Sequence, residues 1–182
     1  MKKIIIAVIA VLIMLPACSF AQKGYAVDQG VMLLDGSISF TSAGGDLRLD
    51  ETETTFTINP VVGYFIIPHL AIGVGFNYTK YSWGDTDHTF LGVGPAAAYF
   101  LGDANSKMYP FVGGSFVYGS MSDEYTQTDI KFEGGAAFMI AKNVAITGAA
   151  FYMMESYKPD GADESISGNT FGIEFGISTF IY

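Results

Sequence analysis

Taken two residues at a time, the last stretch of the chain carries the plainest pattern: Phe171, Ile173, Phe175 and Ile177 alternate with Gly172, Glu174, Gly176 and Ser178. Alternation at period two is a strand with two different faces. The pattern runs on through Thr179-Phe180-Ile181-Tyr182, where a strand bathed in water would turn polar. Its large side chains face outward as if hydrocarbon were their solvent.

Seven further segments alternate in the same way. Segment 31–41 sets Met32, Leu34, Ile38 and Phe40 against Asp35, Ser37, Ser39 and Thr41. Segment 55–66 sets Phe56, Ile58, Val62 and Tyr64 against Thr55, Thr57, Asn59 and Gly63. In 70–81, Ile72, Val74, Phe76 and Tyr78 oppose Ala71, Gly73, Gly75, Asn77 and Thr79. In 88–100, Leu91, Val93, Pro95 and Tyr99 oppose Gly92, Gly94, Ala96 and Ala98. Segment 109–120 has glycines on both faces, and Val112, Phe116 and Tyr118 are assigned outward. Segment 129–140 is clearer, with Ile130, Phe132, Ala136 and Phe138 opposite Lys131, Glu133, Gly135 and Ala137. Segment 144–155 turns Ala149, Phe151 and Met153 inward. A tilted barrel strand crosses a bilayer in about 9–11 residues, so each segment is long enough. Only a closed sheet satisfies its own backbone in hydrocarbon. The pattern predicts an all-β, eight-stranded antiparallel up-and-down transmembrane β-barrel.

Two features support that parse. Aromatic residues close strands at matching heights, in Gly63-Tyr64-Phe65-Ile66, Ala98-Tyr99-Phe100-Leu101, Ala137-Phe138-Met139-Ile140 and Thr179-Phe180-Ile181-Tyr182. Tyr64, Tyr99, Phe138 and Tyr182 are read as an interfacial girdle. The connections also differ at the two ends. Short links surround Pro68-His69, 102–107 and 141–143, while 42–53, 82–87, 121–128 and 156–167 read as longer polar loops. Prolines are rare in central strands, because they remove a ladder donor. Pro60, Pro95 and Pro110 share parity with outward residues, and Pro60 and Pro110 are expected at bulges or strand ends.

The N-terminus adds an address. Met1-Lys2-Lys3 is basic, an apolar run follows from Ile4 to Leu15, and Ser19-Phe20-Ala21 supplies small residues before Gln22. That is a secretory signal, expected to be cleaved after Ala21, which leaves 22–182 as one barrel domain. The run is too short for the roughly 20 residues of a spanning helix. Cys18, the single cysteine, falls within the discarded segment; the alternative is a lipoprotein site at Leu15-Pro16-Ala17-Cys18. With Cys18 removed, the barrel holds neither a disulfide nor a cysteine metal site. The chain has 18 acidic and 9 basic residues, a net charge of −9, which opposes binding to nucleic acid.

These features together resemble the family of small eight-stranded outer-membrane barrels of the OmpA/OmpX type, whose members include proteins described as porin-like. The signal, the Asn59-Pro60-x-x-Gly63-Tyr64-Phe65 segment and the terminal strand carry the resemblance, which covers nearly all of 22–182. It implies a bacterial outer-membrane location in a Gram-negative cell envelope. Implied partners are outer-membrane lipid and lipopolysaccharide, and a barrel-assembly machinery that reads the C-terminal strand. In the terminal assembly signal Phe180 and Tyr182 fit the family pattern, and Gly176 stands one position early.

The interior limits function. Eight strands leave room for side chains and little else, so a wide pore is excluded and a narrow wet lumen is the expectation. The inward charges are Asp35, Lys131, Glu133, Glu155 and Glu174, on strands that become neighbours on closure. Four carboxylates around one ammonium cannot all be ionised without cost in a confined space. A salt-bridged plug is the first reading and a gate the second. An enzyme acting on lipid would need a histidine and a serine supported by a carboxylate, for which His88 with Ser82 or Ser120 is the candidate set. His88 lacks a serine two residues on and reads as a strand cap at the polar interface, and His69 reads as a turn residue. Tyr81 and Trp83 read as interfacial anchors. No catalytic residue, metal site or cofactor is assigned. The acidic loop residues, among them Asp46, Asp50, Glu51, Asp85, Asp123, Glu124, Asp160, Asp163 and Glu164, form a rim. That rim suits divalent cations or a surface partner, without a calcium-loop spacing. The expected role is structural or surface interaction, the alternatives being a narrow ion or small-solute channel and a lipid-modifying enzyme. A soluble lipid-binding barrel would need the reverse polarity, apolar inside.

Overall fold

The computed structural model describes residues 25–43, 53–84, 86–104, 106–121, 125–159, 161 and 164–181. The expected signal segment with Cys18, Tyr182 and the acids Asp46, Asp50, Glu51, Asp85, Asp123, Glu124, Asp160 and Asp163 lie outside these. Eight strands follow in chain order: β1 Met32–Ala43, β2 Glu53–Ile67, β3 Leu70–Trp83, β4 Thr86–Phe100, β5 Met108–Met121, β6 Tyr125–Met139, β7 Val144–Pro159 and β8 Ile166–Ile181. Each pairs antiparallel with the next and β8 returns to β1, which makes a closed up-and-down barrel.

Period-two patterning decides which face points where. Ile72, Val74, Phe76 and Tyr78 stand exposed on β3, and Val112, Phe116 and Tyr118 on β5. On β8 the exposure reaches 75% at Phe171 and 70% at Ile173. An apolar band this continuous around a closed sheet is matched to hydrocarbon rather than water. Among the described residues no helix is long and apolar enough to cross a membrane; the strands do the crossing. Inward positions are small where strands approach closely. A Cβ on Gly94 would collide with the carbonyl oxygen of Phe116 on β5.

Three expectations need correction. The strands extend further at the acidic end than the apolar pattern indicates, so the polar links shrink to 44–52, 84–85, 122–124 and 160–165. Threonine-rich stretches such as Thr54-Thr55-Phe56-Thr57 and Tyr125-Thr126-Gln127-Thr128 suit strands without being apolar, which explains the difference. β3 ends at Trp83 and β4 begins at Thr86, with Gly84 at φ 55°, so most of the expected loop 82–87 belongs to the two strands. Pro60 sits neither at a bulge nor at a strand end. It pairs with Gly36 on β1, while pairing toward β3 lapses after Ile58 and resumes at Val61 in unchanged register. Pro95 is accommodated in the same way, paired with Val74 and skipped on the β5 side.

The closing seam is short. β1 and β8 pair from Met32 with Ile181 to Ser37 with Gly176. Above that level the two strands pair only with β2 and β7, so Ile38–Ala43 and Ile166–Phe175 face an unzipped edge among the described residues. Unpaired ladder groups exchange readily. In lipid, hydrogen exchange is therefore expected to be faster over 38–40 and 170–175 than over 32–37 and 176–181. Uniform protection along β8 would show that the seam is closed throughout.

Candidate functional site

The lumen is built in three tiers. At the turn end, the aromatic pairs seen in the sequence split by parity. Tyr64, Tyr99 and Phe138 face outward, 48%, 43% and 52% exposed, while Phe65, Phe100 and Phe180 point inward and are buried. Phe100 is the hub, with ring centroids 5.6 Å from Phe65, 5.3 Å from Phe111 and 6.2 Å from Phe180. The segment ahead of β1 seals this cluster. Val27 and Val31 are 0% and 1% exposed against it. Backbone bonds hold the segment in place: His69 N donates to Val27 O at 2.8 Å, Gly30 N to Phe65 O at 2.9 Å and Phe65 N to Val31 O at 2.9 Å. His69 turns with φ 74°, as a turn residue should, and its Nε2 lies 3.5 Å from the Tyr25 hydroxyl. Burial, then the carboxylates of Asp28 and Asp103, hold the Tyr25 phenol above its ordinary range, so it stays protonated as a hydrogen-bonding group.

This tier was not foreseen. The girdle assignment covers Tyr64, Tyr99, Phe138 and Tyr182 and leaves their neighbours without a role, yet Phe65 shares the parity of Gly63, and Phe180 that of Ser178. The signal for an inner cluster was present in the alternation. Nothing in the pattern marks residues 25–31, which form no strand.

The middle tier is the charged crossing. Lys131 on β6 places Nζ 2.8 Å from Glu133 on the same strand and 2.8 Å from Glu174 on β8. Its ammonium also lies 5.7 Å from the Phe151 ring centroid. The expected inward charges thus come together only in part. Asp35 on β1 accepts instead from the Ser178 hydroxyl. Glu155 on β7 sits higher, accepting from Tyr157 at 3.3 Å and Thr170 at 2.8 Å.

The upper tier adds groups absent from the sequence reading. Asp129, 4% exposed, accepts from Gln127 Nε2 at 2.8 Å, and Gln127 is itself 3% exposed. Asp129 has the parity of Lys131 and Glu133, so it too was legible. Tyr81 lines the lumen here and is not an outer anchor, whereas Trp83 is 53% exposed. His88 lies within β4 opposite Tyr81, with its Nδ1 buried and unpartnered, rather than capping the strand. Strand parity puts Ser82 and Ser120 on the outer face and His88 on the inner, so the candidate histidine–serine sets are not brought together. Among the described residues no group of three His, Cys, Asp or Glu side chains is placed to hold a metal.

Removing Lys131 would leave Glu133 and Glu174 facing each other without their shared cation. Lys131→Ala is expected to lower unfolding stability by roughly 2–3 kcal/mol, below the range for fully buried pairs because this one keeps some solvent contact. Adding Glu174→Gln should recover part of the loss. Urea unfolding in lipid vesicles measures both.

No family model matches the chain, and no curated protein matches it. Several solved structures do. Neisserial surface protein A (NspA) is 19% identical, covering 82% of this chain and 94% of its own, with a TM-score of 0.48. A de novo designed transmembrane β-barrel is 14% identical over 85% of this chain and 98% of its own, at 0.48. The outer membrane protein AlkL, solved in DMPC lipid bilayers, is 10% identical over 88% and 92%, at 0.47. At these scores they add nothing to what strand pairing and the apolar band establish: this chain is a membrane-spanning eight-stranded β-barrel.

Proposed function

We propose that the chain is an exported outer-membrane barrel with a sealed lumen, acting as a structural or surface-interaction protein through its acidic end. The observation that carries this reading is the seal. Phe65, Phe100, Phe111 and Phe180 pack with Val27 and Val31 across the turn-end mouth, below the Lys131 bridge. A hydrated path would have to breach both layers. The acidic residues, including Asp87 and Glu164 among those described, concentrate charge on the opposite rim. Such a rim attracts divalent cations that bridge lipopolysaccharide phosphates, or a basic patch on an envelope partner. The outer-membrane location rests on the export signal and the apolar band, and assembly through the C-terminal strand follows from that location. No catalytic role is assigned, since His88 and the nearby serines face opposite sides of the wall.

Reconstituted in a planar bilayer, the folded wild-type protein is expected to be silent. A variant combining Phe100→Ala, Phe180→Ala and Lys131→Ala should conduct. Each Phe→Ala change costs about 3–5 kcal/mol in a packed core, so folding is checked first by heat-modifiable mobility. Regular unit conductance from the wild type would overturn the sealed-barrel reading in favour of a narrow channel.

A further inference from the structure

Above the Lys131 bridge, in the half of the barrel next to the acidic end, lies a cavity of about 450 Å³. That is the size of a small-molecule site. Its lining includes Ile38 and Ile173, outer-face residues on either side of the unzipped part of the seam, so the cavity reaches the outer face between β1 and β8.

One wall of it is electrostatically unfavourable as it stands. Asp129 and Glu155 are direct cross-strand partners, both facing the lumen. Side chains so placed have Cβ atoms about 4.5–5.5 Å apart, and like charges there destabilise a sheet. Neither carboxylate belongs to an ion pair among the described residues. Lys131, the cation nearest in sequence, is held by Glu133 and Glu174. On the same wall Gln127, 3% exposed, donates to Asp129 and leaves its Oε1 without a donor. A buried acceptor without a partner is costly. Glu155 accepts from the Tyr157 and Thr170 hydroxyls and Asp129 from Gln127, so two carboxylates share one wall with neutral donors and no ion-pair partner among the described residues.

The other surfaces define what kind of cation fits. Phe90, Phe151 and Met153 supply an apolar lining. The described residues offer no cluster suited to a metal. An ammonium brings a positive charge and three donors to a pair of carboxylates. We propose that this cavity binds an amphipathic organic ammonium. Its head lies between Asp129 and Glu155, and its apolar part lies against Phe90, Phe151 and Met153. Acids at the rim steer such cations inward. The site stands apart from conductance, since a silent barrel and a leaky one are equally open to an equilibrium titration.

The probe is phenethylammonium chloride, titrated calorimetrically at low salt into the folded full-length barrel in phosphatidylcholine nanodiscs, with protein-free discs subtracted. Saturable binding at one site is expected. Asp129→Asn and Glu155→Gln should each weaken it about tenfold or more, the scale of a lost charge-assisted contact. 2-Phenylethanol, which keeps the ring and lacks the charge, should bind at least as weakly as the variants. Absence of saturable binding overturns the proposal, as does equal affinity for the alcohol or unchanged affinity in both variants. Should a variant fail to fold, the comparison of ammonium with alcohol on the wild type decides alone.

Discussion

A backbone amide in hydrocarbon has no water to turn to, and this constraint organises the whole molecule. Each N–H and C=O without a partner costs several kcal/mol there. Among the described residues, consecutive antiparallel pairing from β1 to β8 meets most of the demand, and the longest gap is the upper seam, where β1 and β8 separate after Ser37 and Gly176. The prolines obey the same rule. Pro60 and Pro95 each keep the pairing on one side and fall where the ladder lapses on the other.

Closure with so few strands then dictates the interior. Small residues line the wall where strands crowd, and the remaining space is filled by three chemically different layers. The aromatic layer at the turn end is a dry core of the ordinary kind. The Lys131 layer is ionic and cross-links β6 to β8. The upper layer is polar and acidic, with hydrogen bonds from Thr79 to Asn77 at 2.9 Å and between Thr57 and Thr79 at 3.1 Å. The sealed-barrel reading draws on the first two layers, and the ammonium site on the third.

Much of this was legible in the sequence, because a period of two leaves little ambiguity about faces. The outward assignments on β3, β4, β5 and β8 agree with the exposed band. What alternation cannot supply is depth and partner. Asp35 shares a face with the charges of β6 and β8, yet it hydrogen-bonds to Ser178. Glu155 is on the correct face but one tier too high to meet Lys131. The strand ends were hidden because Thr-rich polar stretches continue the strands past the apolar band. The 25–31 seal was invisible for a different reason: it is held by backbone bonds to Phe65 and His69, which no side-chain pattern encodes.

That seal draws on both ends of the barrel. Val27 and Val31 come from before the first strand, and Phe180 arrives with the last, its amide fixed to Asn143 O at 2.8 Å. The aromatic layer is therefore incomplete until β8 has docked. An open sheet lacks part of this layer, which comes together only as the first and last strands meet. On the sealed-barrel reading, tightness thus reports docking of the last strand, and a barrel lacking residues 25–31 or Phe180 is a leaky one.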